Sequence, residues 1–314
     1  VKTPGLSLDS IEQASELIDP SFLHTPQYVH TGLSRRLGRD IAVKVETLNP
    51  IGSFKGRGAD HFMRSLPPGR QVVCASAGNF GQAIAYAARA RQIGVTVFAA
   101  TTANQAKVAA MRDLGARVEL AGADFDAAKA EARAYADRHP ECLFVEDGDD
   151  PRIAEGAGTI AVELAPMDVG TLLVPVGNGA LISGIGCWMK ARSPRTRIVG
   201  VCAAAAPAMA HSWREGRPVP SQEAATMADG IAVREPVPAA VDWMRDYVDD
   251  VVMVPEEAIL RAVHVVRDTL GLLVEPSGAV GVAGALEHDF ADGPLATIIT
   301  GGNLSDALRA ELTS

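Results

Sequence analysis

Along most of the chain, short runs of β-branched and aliphatic residues alternate with longer, alanine-rich stretches of mixed polarity. The first series predicts strands over 41–45, 72–75, 95–98 and 117–120, and helices over 80–92, 105–115 and 125–138. A second series predicts strands over 171–176, 197–202, 250–254 and 296–299, with one helix running through Trp188 and another over 256–270. Such alternation is the pattern of α/β proteins, whose sheets carry helices on both faces. Prolines, glycines and charges cluster between Ala205 and Val237, which predicts loops around a functional edge and not an interdomain linker.

Composition narrows the class without naming a chemistry. A chain of 314 residues, 47% hydrophobic and 21% charged, suits one large or two intimate domains and excludes disorder, collagen and coiled coil. The net charge of -9 is spread without long like-charged runs, which argues against a nucleic-acid partner. Cys74, Cys142, Cys187 and Cys202 are scattered, with no CxxC spacing, and read as small buried hydrophobes in a reducing cytoplasm. No basic segment leads into an apolar run at the start, and no stretch reaches the roughly 18 uninterrupted apolar residues of a membrane helix. A cytoplasmic protein without a membrane partner is the expectation.

Four loops carry candidate chemistry. From Glu46 to Ala59 a single lysine, Lys55, sits between Ser53-Phe54 and Gly56 just after a predicted strand. A Schiff-base lysine must approach an aldehyde closely and spend time unprotonated, and small neighbours permit the approach. Taken alone, Lys55 is equally a solvated loop lysine, which is how Lys44 and Lys107 are read. Gly177-Asn178-Gly179-Ala180-Leu181 follows an apolar strand and opens a helix, so its amides can cradle a phosphate; an ordinary tight turn also fits. The spacing is neither GxGxxG nor that of a P-loop, which disfavours dinucleotides and nucleoside triphosphates. Ser76-Ala77-Gly78-Asn79 repeats the strand-to-helix arrangement, with amides for a carboxylate and Asn79 as a donor. Thr300-Gly301-Gly302-Asn303 ends the last strand with a hydroxyl. All four fall at predicted C-terminal strand ends or in strand-linked loops, the edge where open α/β sheets bind ligands. No HExxH or GxSxG motif is present to support a metallohydrolase or serine hydrolase.

These loops, together with Glu155-Gly156-Ala157-Gly158-Thr159-Ile160-Ala161, the run from Ala228 to Val233 and Glu275-Pro276-Ser277-Gly278-Ala279, resemble the fold-type II pyridoxal-phosphate family over nearly the whole chain. The likeness is greatest to its threonine/serine dehydratase branch, which is related to serine racemase. The resemblance implies a tryptophan synthase β-like fold of two α/β domains, with open twisted sheets flanked by helices and pyridoxal 5'-phosphate in the cleft between them. Residues 1–46 and 147–314 would form the large domain and 47–146 the small one. Lys55 would carry the Schiff base and shuttle the α-proton. Phe54 would pack on the pyridine ring, Asn79 bond its 3-hydroxyl, Gly177 to Leu181 bind phosphate and Thr300 meet the ring nitrogen. Ser53 and the segment Ser76, Ala77, Gly78, Asn79 and Phe80 would face a small amino-acid substrate.

Departures from the family sharpen the expected reaction. Ala77 stands where the racemases carry the serine that reprotonates the opposite face, so β-elimination of threonine or serine to a 2-oxo acid and ammonia is expected over racemisation. Phe80 replaces a common histidine, which keeps 3-hydroxyaspartate and phenylserine-like substrates open. Asn178 and Ala180 replace glycines in the phosphate loop. Cys202 stands where relatives place a metal-ligating glutamate, so no metal is expected. The chain ends soon after Asn303, which implies no regulatory domain, and a homodimer is expected by analogy. β- or γ-replacement, as in cysteine and threonine synthases, and a non-catalytic binder remain as alternatives. Arg57 and Asp229 are read as structural ion-pair or loop residues, with Glu275 balanced between structure and site.

Overall fold

The computed structural model describes residues 5–291 and 293–313, so the outermost residues of the expected domain bounds, 1–4 and 314, lie outside it. Among the described residues ten strands form two sheets: β1 (Gln27–Val29), β2 (Ile41–Val45), β3 (Gln71–Ala75), β4 (Val95–Ala99), β5 (Arg117–Leu120), β6 (Cys142–Phe144), β7 (Thr171–Pro175), β8 (Arg197–Ala203), β9 (Asp250–Val254) and β10 (Leu295–Ile299). The large sheet has the order β1-β2-β10-β7-β8-β9 and is parallel except for β1, which runs antiparallel to β2. The small sheet, β5-β4-β3-β6, is wholly parallel. Every residue of β2, β4, β7 and β10 is buried, which is why these strands are mostly apolar and do not alternate with polar residues, Lys44 on β2 excepted.

The helices are α1 (Leu8–Leu17), α2 (Thr31–Leu37), α3 (Lys55–Arg64), α4 (Asn79–Arg89), α5 (Gln105–Asp113), α6 (Phe125–Arg138), α7 (Pro151–Leu164), α8 (Ala180–Arg192), α9 (Ala208–Glu215), α10 (Pro238–Tyr247), α11 (Glu256–Leu270), α12 (Pro276–Glu287) and α13 (Asp306–Thr313). None is long and apolar enough to cross a membrane. Leu172 and Val174 on β7 enter one core, which continues into the small sheet through Val72 and Cys74. Leu173, between them, enters a second core under α11 and α12. The alternation is that of a strand with both faces covered.

The expected loop between Ala205 and Val237 needs correction, because α9 lies within it. Pro207 precedes this helix and Gly216, at φ 68°, caps its end, so two of the residues that suggested a loop are the helix's own boundaries. Lys44 also differs from expectation. It lies on β2, only 1% exposed, where it donates to the Thr25 carbonyl at 2.8 Å and pairs with Glu163. Arg57 completes this buried network. Its Nε and Nη2 reach both oxygens of Glu46 at 2.9 and 2.8 Å, and its Nη1 meets Glu163 at 2.6 Å. Burial alone would raise the Glu163 carboxyl, but hydrogen bonds and charge from Arg57 and Lys44 outweigh it and hold the group down to about 2.

Helices α7 and α8 cross where Gly158 meets Gly184. A Cβ at Gly158 would lie 2.8 Å from the Gly184 carbonyl oxygen, and one at Gly184 would overlap that of Ala154. Gly184→Ala is therefore expected to lower stability by about 1–3 kcal/mol through overpacking. Denaturant unfolding with an unchanged midpoint would contradict so tight a crossing.

Candidate active site

A cavity of about 590 Å³ opens at the C-terminal ends of β3, β6, β7 and β10. Each strand hands its chain to a loop on the cavity wall: β3 leads to Ala75–Phe80, β6 to Phe144–Asp147, β7 to Gly177–Leu181 and β10 to Thr300. The segment after β2 runs to Phe54 and Lys55 at the start of α3. Parallel strands converge their C-terminal ends on one edge, so residues far apart in sequence share this wall.

Lys55 Nζ is ion-paired with Asp147 and lies over two aromatic rings, 4.6 Å from the Phe54 centroid and 6.0 Å from that of Phe80. The opposite wall begins α8, whose first-turn amides have no intrahelical acceptor. Gly179 takes φ 91° there, a left-handed conformation that favours glycine, and a Cβ on it would come within 2.9 Å of Ala240. Asn178 packs against the loop after β6, since a Cβ on Gly148 would overlap its carbonyl oxygen.

The third group surrounds α4. Ser76 Oγ accepts from the amides of Gly78 at 3.1 Å and Gly81 at 2.9 Å, fixing the loop that presents Ala77 and Asn79. Asn79 Nδ2 donates to Glu275 Oε1 at 2.6 Å, while its Oδ1 accepts from Asn303 at 2.8 Å. Thr300 Oγ1 donates to the Ser277 carbonyl at 3.2 Å.

Burial pushes the Glu275 carboxyl up to about 7, with Asp229 adding to the shift and Lys107 and the Asn79 and Ser277 hydrogen bonds opposing it. The folded chain therefore holds a proton on Glu275 that the unfolded chain, with its ordinary value of 4.5, gives up. The associated stability is complete below about 4.5 and is lost as pH rises through about 7. Glu275→Gln keeps an acceptor for Asn79, so its melting temperature is expected to fall less than wild type's between these limits. Parallel melting curves for the two proteins would remove Glu275 as the cause.

Most of the expected site residues share this cavity: Phe54, Lys55, Asn79, Thr300, the Gly177–Leu181 loop and Ser76 to Phe80. Ser53 does not line it; it is fully buried and its backbone bridges to Gly301. Arg57 is also behind the wall, in the Glu46 and Glu163 network. Lys107 corrects another expectation. It sits on α5 with its side chain 14% exposed and pairs with Asp229 at the cavity rim. Arg234 makes a second rim contact, to Asp124 at 3.1 Å and to Asp126.

Asp147 was missed. The run Glu146-Asp147-Gly148-Asp149-Asp150 shows it as one acid among several, and only the fold brings the loop after β6 against Lys55 at the start of α3. Cys202 is buried on β8, and its thiol is pushed up to about 12 by that burial.

Residues 18–301 match the family described as pyridoxal-phosphate dependent enzyme, and the chain belongs to it. An L-threonine ammonia-lyase of Geobacter sulfurreducens is 40% identical over 278 residues, covering 86% of this chain and 69% of that protein. One of Thermotoga maritima is 35% identical over 305 residues, covering 95% and 76%. Among solved structures, the processed form of threonine deaminase isoform 2 from Solanum lycopersicum superposes with a TM-score of 0.89 at 30% identity, covering 99% of this chain and 90% of that one. Maize serine racemase gives 0.92 at 27% identity, covering 99% and 97%. The fold is therefore that of the fold-type II enzymes, and the cofactor is pyridoxal phosphate.

The cavity fits that cofactor. An amine (Lys55), a helix N-terminus built on a left-handed glycine (Gly179) and a strand-end hydroxyl (Thr300) line one space. Its volume lies within the range of roughly 300–1,000 Å³ usual for cofactor and ligand sites.

Proposed function

We propose that this chain eliminates water from a β-hydroxy amino acid, with threonine and serine as leading substrates, to give a 2-oxo acid and ammonia. The observation that carries the proposal is that the Lys55 amine at the start of α3 and the N-termini of α4 and α8 line one cavity. Relatives named L-threonine ammonia-lyase, at 35–40% identity, point to the same substrates. Pyridoxal phosphate, when bound, withdraws electrons from the substrate Cα and so acidifies its C–H bond.

The protein's own residues supply the rest. Lys55 would hold the cofactor by its aldehyde carbon and, once released by the substrate amine, take the proton from Cα. The amides of Gly177, Asn178, Gly179, Ala180 and Leu181 would receive phosphate at the positive end of α8. Asn79, fixed between Glu275 and Asn303, would orient the ring through its 3-hydroxyl, with Phe54 against one face. Thr300 has a hydroxyl whose proton can turn from the Ser277 carbonyl to the ring nitrogen. The amides of Ser76 to Phe80 would take the substrate carboxylate, and the Phe80 ring would keep water from the reacting carbons. Ala77 places a methyl where a second proton donor would be needed for racemisation.

On this reading residues 47–146 form a small domain closing on 1–46 and 147–314, the small sheet lying within the former. A homodimer in a reducing cytoplasm fits the four free cysteines and the exposed Tyr28 and Val29 on the edge strand β1. Sedimentation of the purified chain tests the dimer. Release of 2-oxo acid and ammonia from threonine, serine, 3-hydroxyaspartate and phenylserine tests the reaction; no ammonia from any of them sinks it.

A further inference from the structure

Among the described residues Asp147 is the one carboxylate paired with the reactive amine, and half of it has no hydrogen-bond partner. One oxygen pairs with Lys55, while Oδ1 is buried without a hydrogen bond. The residue is 7% exposed and lines the cavity. Its neighbours do not relieve it. Glu146 turns away to Lys129 at 3.1 Å and to Arg133, and the backbone at 147 is held by a turn from Glu146 to Asp149 and by Gly148 against Asn178. When Lys55 turns to the cofactor, Asp147 loses its cation in a setting where an unpaired buried charge is costly.

We propose that Asp147 is the acid that protonates the departing β-hydroxyl, a role that rests on the elimination reaction proposed above. The free Lys55 amine takes the Cα proton, and the C–H electron pair becomes the second bond between Cα and Cβ. The Cβ–O bond breaks with its pair on oxygen, and that oxygen takes the Asp147 proton and leaves as water. Lys55 is then an ammonium and Asp147 a carboxylate, the ion pair seen in this structure. For Lys55 to bond carbon again it must lose a proton, and the carboxylate in contact with it is the acceptor. Each α-proton thus passes from Lys55 to Asp147 and leaves in the water of the next turnover, with no net gain or loss by the pair.

Asp147→Asn keeps the shape and removes the transferable proton. In the holoenzyme, cofactor absorbance and exchange of the substrate α-hydrogen with deuterated water are expected to persist, while 2-oxo acid release from serine and threonine falls about 10²–10⁴-fold. Release from β-chloroalanine, whose leaving chloride needs no proton, should fall far less than release from serine, by the slower deprotonation of Lys55 alone. Asp147→Glu should recover part of the loss on serine. Calorimetric loading of cofactor in buffers of different ionisation enthalpy gives a readout free of turnover: wild type should take up about one more proton than Asp147→Asn. An equal fall on serine and β-chloroalanine, no fall on either, or identical proton uptake would overturn the assignment. A wild-type enzyme that eliminates from neither substrate would instead overturn the elimination reaction itself.

Discussion

Lys55→Ala is expected to lower 2-oxo acid release from threonine and serine by at least about 10⁴-fold and to abolish the visible band of the bound cofactor. Loss of a positioned general base alone removes about 10²–10⁴ in rate, and here the same amine also bonds the cofactor, so the two losses compound. The fold should survive, because Lys55 is the first residue of α3 and its side chain packs into no core. Absorbance of the purified variant and a coupled ammonia assay measure both effects. A variant retaining a hundredth of wild-type turnover would remove Lys55 from the chemistry.

Arg57→Ala should be the most damaging change to stability, by about 3–5 kcal/mol, because it leaves Glu46 and Glu163 buried without their shared cation. Arg57→Lys should recover only part of this, since an ammonium cannot meet two carboxylates with a planar fork. Arg57 lies two residues after Lys55 on the same first turn of α3, so the substitution should also lower kcat by loosening that turn. Urea unfolding gives the stability term, and a loss below about 1 kcal/mol would mean that the network contributes little.

The elements that were legible carried their own boundaries. The predicted bounds of α6 and α11 match the structure; Asp124 caps the first and Gly271, at φ 69°, ends the second. Helices α7 and α12 were missed because most residues of both are buried, which erases the polar face that a 3.6-residue period needs. The cofactor loops were legible for a local reason: each is a strand followed by glycine or by small and polar residues. Asp147 was not, because its meaning lies in a contact across 92 positions of sequence. Lys44 failed for the related reason that its partner Glu163 sits 119 positions away.

The ion pairs at the cavity rim, Lys107 with Asp229 and Arg234 with Asp124 and Asp126, tie α5 and the start of α6 to the segment around 229–234. Asp229 and Asp124 are mostly or half exposed, so both ties are weak and are weakened further by dissolved salt. Raised ionic strength should therefore loosen this side of the cavity.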